Sequence, residues 1–217
     1  MKNASTCSSR PRGRPRAFDR GTALECAMQI FWRQGYESTS LSDLTSAMGI
    51  NPPSLYAAFG DKQRLFLETI EHYANGVGAS PIRAFEAETT AREAVLRLME
   101  DAARELTCSS HPPGCMVVVA ALSCSDDSNH VQAMLAQYRR RAQARIQARI
   151  ERGMREGDVP LGADAGLLAR LYMTVIQGMS VQARDGATCE ELVAIARAAM
   201  HAWPQEGAIL KKRAKAA

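Results

Sequence analysis

The stretch that decides the fold is "GINPPSLYAAFGDK", Gly49 to Lys62. Two prolines stand directly before a single short helical segment, two aromatics follow, and a glycine closes it. Asn51 is a good N-cap. Pro52 and Pro53 fit the first helical turn, where the missing N–H groups have no intrahelical acceptor to lose and the fixed φ suits a helix. Gly60 ends the segment after barely two turns, and Asp61 caps the next helix, which runs through Leu65, Phe66, Ile70 and Tyr73 toward Ala79. Upstream, Ser40 with Asp43 three residues on has the spacing of a capping box, and Gly49 stops a helix over about 42–48. A first helix begins at the cap Asp19, ends at Gly35, and stripes Leu24, Ala27, Met28 and Phe31 along one face.

Two short helices joined by a glycine turn, with another helix on each side, outline a helix-turn-helix unit. Leu44, Met48, Ile50 and Leu55 are spaced to share one small core, with Thr45 at the closest crossing, while Phe59 and Leu65 knit the third helix to the fourth. What remains for solvent on the third helix is small or polar: Asn51, Pro52, Pro53, Ser54, Tyr56, Ala57 and Ala58. A narrow helix of that kind enters a groove about 12 Å wide with its N-terminal residues at the base edges. Proline and serine there favour apolar contact, such as with thymine methyls. Tyr56 and Lys62 suit phosphate oxygens.

Charge points the same way. The 217-residue chain has a net charge of +4, but its ends are basic: Lys2, Arg10, Arg12, Arg14 and Arg16 in front, Lys211, Lys212, Arg213 and Lys215 behind. These nine charges leave residues 17–210 at a net −5, so an acidic body carries basic tails, as suits a polyanionic partner met at one end. The C-terminal run is read as a solvated tail. "RPRGRPR", Arg10 to Arg16, allows two readings: a minor-groove arm, or an arm making only non-specific phosphate contacts.

Beyond a Gly/Ser/Pro break at 76–81 the periodicity is helical throughout, with no alternating strand pattern. Helices are expected over about 84–106, 114–124, 128–156, 164–185 and 188–203. The third aligns Val131, Leu135, Tyr138, Ala142, Ile146, Ile150 and Gly153, the fourth Leu168, Leu171, Tyr172, Val175, Ile176 and Met179, and the last Leu192, Ile195, Ala199 and Trp203. The plan is all-α: a basic arm (1–18), a helix-turn-helix head (19–62), a helical body for ligand binding and dimerisation (63–203) and a basic tail (204–217). No window approaches a membrane span, no secretory h-region opens the chain, and six scattered cysteines suit a reducing cytoplasm.

"TSLSDLTSAMGINPPSLYAAFGDKQRLF", preceded by "ALECAMQIFWRQGYES", resembles the DNA-binding head of the TetR/AcrR family of transcriptional regulators over about residues 14–75. The body is resembled only in its helical plan. The resemblance implies a homodimeric, usually repressing regulator that binds a double-stranded DNA operator. It implies a helical C-terminal domain for a small-molecule effector, with the last two helices in a four-helix dimer interface. Carried over by position, Ser40 and Ser42 meet the DNA backbone and groove edge. Pro52, Pro53, Ser54 and Ala58 meet bases, and Tyr56 and Lys62 clamp phosphates. Proline at 52 and alanines at 57 and 58 replace larger polar readers found in some members.

A competing chemistry sits at "CSSHPPGC", where Cys108, His111 and Cys115 have spacing that suits soft-metal ligation or a reactive thiol. Against it, Pro112, Pro113 and Gly114 make an ordinary interhelical turn, and Cys124 is nearly three turns beyond Cys115. Buried, unreactive cysteines are the preferred reading, with a thiol- or metal-responsive helical protein as the alternative. The seven arginines from Arg139 to Arg155 are read as a solvated face of an amphipathic helix in preference to a second nucleic-acid patch. No catalytic constellation, phosphate loop or cofactor motif is present, so no enzyme, cofactor or metal is expected. The expected effector is a moderately apolar molecule oriented by polar groups within apolar helices, with His111, Tyr138 and Gln177 as candidates.

Overall fold

The computed structural model describes residues 19–121, 125 and 128–205. Ten α-helices follow one another: α1 (Arg20–Gln34), α2 (Leu41–Met48), α3 (Pro52–Phe59), α4 (Lys62–Asn75), α5 (Ser80–Ala87), α6 (Ala91–Leu106), α7 (Met116–Val119), α8 (Asn129–Glu156), α9 (Ala165–Arg184) and α10 (Cys189–Ala199). Short 3₁₀ turns at Val77–Ala79 and Met200–Ala202 complete the list, and the described residues contain no strand. The expected basic arm with Arg14 and Arg16, Cys124, and the basic run from Lys211 lie outside the described residues.

The head forms as its caps dictate. Asp19, Ser40, Asn51 and Asp61 each accept a backbone N–H three residues on, and Ser40 with Asp43 closes the reciprocal capping box. Those hydrogen bonds from Ser40 hold the Asp43 carboxyl below the usual carboxylate range. Gly49, at φ 64°, makes the left-handed turn between α2 and α3 that a side chain with Cβ would resist. Leu44, Met48, Leu55, Phe59 and Leu65 are buried as their spacing implies. In α1 the buried face is Ala23, Ala27, Met28, Phe31 and Trp32, one position round from the expected stripe, and Leu24 is only half-buried.

Two core clusters result. The head cluster runs from Ala23 to Tyr73 and continues into Met116, Ala120, Val131 and Leu135, so α7 and the first turns of α8 underpin the head. The body cluster gathers α5, α6, the second half of α8, α9 and α10. The boundary drawn at residue 62 falls at the first residue of α4, whose buried residues Leu65, Phe66, Ile70 and Tyr73 all belong to the head cluster.

The body differs from expectation at one corner. A single helix over 84–106 is replaced by α5 and α6 with a break at Glu88 to Thr90. Thr90 caps α6 by accepting from the Glu93 N–H at 3.2 Å. The buried Arg149 of α8 donates to the Glu88 and Thr89 carbonyls at 3.3 and 2.8 Å, and Asp158 accepts the Ala91 N–H at 2.6 Å. A distant arginine and aspartate thus satisfy the backbone groups that the break exposes. Pro81, read as part of the Gly/Ser/Pro break, instead lies in the first turn of α5, where proline is well placed. The expected helix over 114–124 shrinks to the four residues of α7 among those described.

Head and body meet at the C-terminus of α1. Trp32 is fully buried, its indole N–H donates to the Gly114 carbonyl at 3.0 Å, and its ring stacks on His111 at 4.6 Å. Arg184 of α9 donates to the carbonyls of Trp32 and Arg33 at 3.2 and 3.0 Å, placing a cation on the negative end of α1. Gly114 has φ +83°, and a Cβ there would lie 2.7 Å from the Ser180 carbonyl oxygen. Gly114→Ala is therefore expected to destabilise the protein by about 2 kcal/mol or more, lowering Tm by about 4–8 °C in a thermal melt. An unchanged Tm would show that this joint is not closely packed.

Candidate nucleic-acid interface

One face of the head is built outward from buried backing. Leu55 and Phe59 anchor α3, and on its other side Pro52, Pro53 and Ala57 are exposed while Tyr56 is 50% exposed. Ser54 and Ala58 are half-buried at the margins, and Asn51 uses its side chain on the Ser54 N–H at 2.9 Å. Ser40 and Ser42 are exposed at the start of α2, Ser40 with its hydroxyl engaged by the capping box. The described residues suggested for nucleic-acid contact thus lie on α2, on α3 and at the head of α4. Lys62 arches over the Tyr36 ring at 4.5 Å with its ammonium 3.4 Å from the Glu37 carbonyl oxygen. That posture holds its charge beside the α2–α3 unit.

Arg20 has no counterpart in the sequence reading. It pairs with Glu68 at 2.6 Å, donates to the Ala58 carbonyl at 3.3 Å and lies 4.4 Å over the Phe59 ring. It fastens the end of α3 to α1 and α4, holding the exposed helix at a fixed angle. Only its position at the start of α1, beside the acid on α4, offered a signal.

The body contains a cavity of about 140 Å³ between α4, α5, α6, α8 and α9. Its wall is hydrocarbon from Ile82, Phe85, Leu98, Ile146, Met173 and others, joined by Tyr73, Glu105, Cys115 and Arg145. The residues suggested for effector contact lie elsewhere. His111 is stacked on Trp32 with Nδ1 3.0 Å from the Pro112 oxygen and Nε2 2.8 Å from Glu105. Tyr138 is half-buried against the head cluster with Arg141 near its ring, and Gln177 is half-buried on α9. None of the three lines the cavity wall. A third of that wall comes from the α4 end through α5, including Gly78 and Pro81 of the Gly/Ser/Pro break.

The metal or thiol alternative is not supported. Cys108 Sγ lies 3.2 Å from the Ser110 hydroxyl, which lowers the pKa of the thiol, while His111 is engaged by Glu105 and Cys115 faces Tyr73. Among the described residues no group of three His, Cys, Asp or Glu side chains is placed to hold a metal ion. Cys115 is also not the fully buried packing residue expected. It is half-buried, precedes α7, and presents Sγ 3.3 Å from the Tyr73 hydroxyl in the cavity wall. Burial, then the neighbouring Cys115, pushes the Tyr73 phenol well above its usual pKa, so it stays a hydrogen-bond donor. No helix among the described residues is long and apolar enough to cross a membrane.

Comparison with known proteins matches this architecture at both ends. Residues 23–69 match the model for bacterial regulatory proteins of the tetR family, and residues 91–200 match that for the tetracyclin repressor-like C-terminal domain. The HTH-type transcriptional repressor ComR of Escherichia coli K12 is 33% identical over 204 residues, covering 94% of this chain and 97% of its own. BdcR, a repressor from the same organism, is 31% identical over 87% of this chain and 90% of its own. A solved structure of the TetR family regulator CifR, a cysteine mutant complexed with 26-bp double-strand operator DNA, is 43% identical. It superposes with a TM-score of 0.85 over 88% of this chain and 100% of that one. The capped α2–α3 unit, the all-helical body and these matches over nearly the full length agree: the chain belongs to the TetR family of transcriptional regulators.

Proposed function

We propose that the protein is a homodimeric repressor that holds a palindromic DNA operator with α3 and leaves it when a small molecule occupies the body cavity. The observation that carries the reading is the two-sidedness of α3. Leu55 and Phe59 are buried, while Pro52, Pro53, Tyr56 and Ala57 face solvent with no other described element over them. An eight-residue helix of small residues fits the major groove, and its N-terminal prolines and Ser54 meet base edges. Tyr56 and Lys62 flank that surface and bind phosphates, and Ser40 and Ser42 approach the backbone from α2. ComR and BdcR, named as repressors, and CifR, solved with operator DNA, support the same reading.

The second protomer docks on α9 and α10. Leu167, Leu171 and Val181 are exposed large apolar residues at helical spacing on α9, and Gly178 between them has open space around its Cα. Such a stripe is a surface that monomers rarely leave uncovered. A two-fold axis there sets the distance between the two α3 helices, which must match about one DNA turn for both half-sites to be read. The cavity controls that distance through α4, which lines it with Tyr73 and packs into the head with Leu65, Phe66 and Ile70.

Two experiments follow. In a shift assay with the DNA upstream of its own gene, Tyr56→Phe and Lys62→Ala are each expected to weaken binding without altering the melting curve. Lys62→Ala should also lower the salt slope by up to about one. Unaltered affinity and slope in both variants would remove these residues from the interface. In sedimentation at micromolar concentration the wild type is expected to be a dimer and Leu171→Glu with Val181→Glu a folded monomer. A dimer that survives both charges would place the interface elsewhere.

A further inference from the structure

The cavity wall restricts what can enter it, an argument that rests on the repressor reading only for its link to DNA. Size comes first. A closed apolar space of about 150 Å³ accepts a molecule of benzene size, whereas drug-sized ligands need roughly 300–1,000 Å³. At about 140 Å³ the cavity belongs to the first class by volume, with one side open to solvent. Charge comes second. Glu105 and Arg145 are the charged residues of the wall, and both are occupied. Glu105 accepts from His111 Nε2 at 2.8 Å, and Arg145 pairs with Glu86 at 2.6 Å. A charged ligand would lose its water and have to compete with these partners for a counter-charge.

The uncharged polar groups of the wall are the Tyr73 hydroxyl and the Cys115 thiol, 3.3 Å apart. Tyr73 is only 5% exposed, so its O–H has little solvent to turn to, and thiol sulfur is a weak acceptor. An oxygen on a ligand would be a better one. We propose that the cavity takes a small, uncharged, largely apolar molecule of about benzene size that carries one hydrogen-bond acceptor, and that Tyr73 reads this acceptor by turning its hydroxyl from Cys115 Sγ to the ligand. Cys115 is then the resting partner that keeps the buried donor satisfied in the empty protein. The Tyr73 ring lies edge-on to Trp32 with centroids 4.9 Å apart, so the group that reads the ligand also touches the tryptophan at the head–body joint.

The test uses full-length protein and two molecules of similar shape, acetophenone with a carbonyl acceptor and cumene without one, titrated by calorimetry. Because the two differ in hydration, the readout is the effect of a substitution on each, not their ratio in the wild type. Tyr73→Phe keeps the ring and is expected to weaken acetophenone about 3- to 10-fold, the net value of one neutral hydrogen bond, while cumene changes less than twofold. Cys115→Ala removes the competing acceptor and is expected to strengthen acetophenone more than cumene. Benzoate and benzylammonium should bind more weakly than acetophenone. Equal effects of Tyr73→Phe on both neutral probes, an unchanged preference in Cys115→Ala, or tighter binding of either ion would each overturn the proposal. Operator binding is measured on the same preparations. Protein that reads acetophenone through Tyr73 but ignores DNA would overturn the repressor reading and leave the ligand class standing.

Discussion

The indole of Trp32 sits where three parts of the molecule close on one another. Its burial is worth roughly 4–6 kcal/mol by area, far more than the roughly 1 kcal/mol net of its hydrogen bond to the Gly114 carbonyl. Burial therefore holds the joint together, and the hydrogen bond and ring contacts set its angle. His111 stacks on one side, Tyr73 meets the ring edge-on, and Arg184 reaches across from α9 to the carbonyls at the end of α1. Each partner belongs to a different segment: the turn before α7, the cavity-lining end of α4, and the helix proposed for the dimer interface. All three therefore touch the end of α1, which shares the head cluster with Leu55 and Phe59 of α3.

The head itself is a rigid unit of modest size. Four side-chain caps fix where its helices begin, and Phe31, Tyr36 and Phe66 form an aromatic cluster with centroid separations of 4.9–6.2 Å. Arg20 and Lys62 cover two of the head's aromatic rings with cations, at 4.4 and 4.5 Å. These contacts fix the internal shape of the head, so the proposed release mechanism works through its placement on the rest of the chain.

Local signals in the sequence were enough for the head. Asp19, Ser40, Asn51 and Asp61 are caps whose chemistry acts within three residues, and Gly49 and Gly60 mark turns for the same local reason. The long body helices were legible from apolar periodicity, and Leu192 and Trp203 of the last one are buried as read. What escaped depends on partners far along the chain. The break before α6 is held by Arg149 and Asp158, about sixty residues away. The cavity wall includes Gly78 and Pro81 from the Gly/Ser/Pro break, and Ile82 and Phe85 from the short α5 that follows it. His111 looked available for an effector because its partners, Glu105 and Trp32, are supplied by folding. Leu171 looks like core by periodicity alone, and only three dimensions leave it outside.

In the proposed mechanism, filling the body cavity alters the separation of the two recognition helices. Spin labels at position 57, exposed on α3 of each protomer, report that separation by pulsed electron resonance in the dimer. With operator bound, the distances should cluster in one narrow distribution consistent with half-sites about 34 Å apart. Saturating the free dimer with acetophenone should shift or broaden the distribution by several ångströms. A distribution that stays the same when the cavity is demonstrably full would contradict the account.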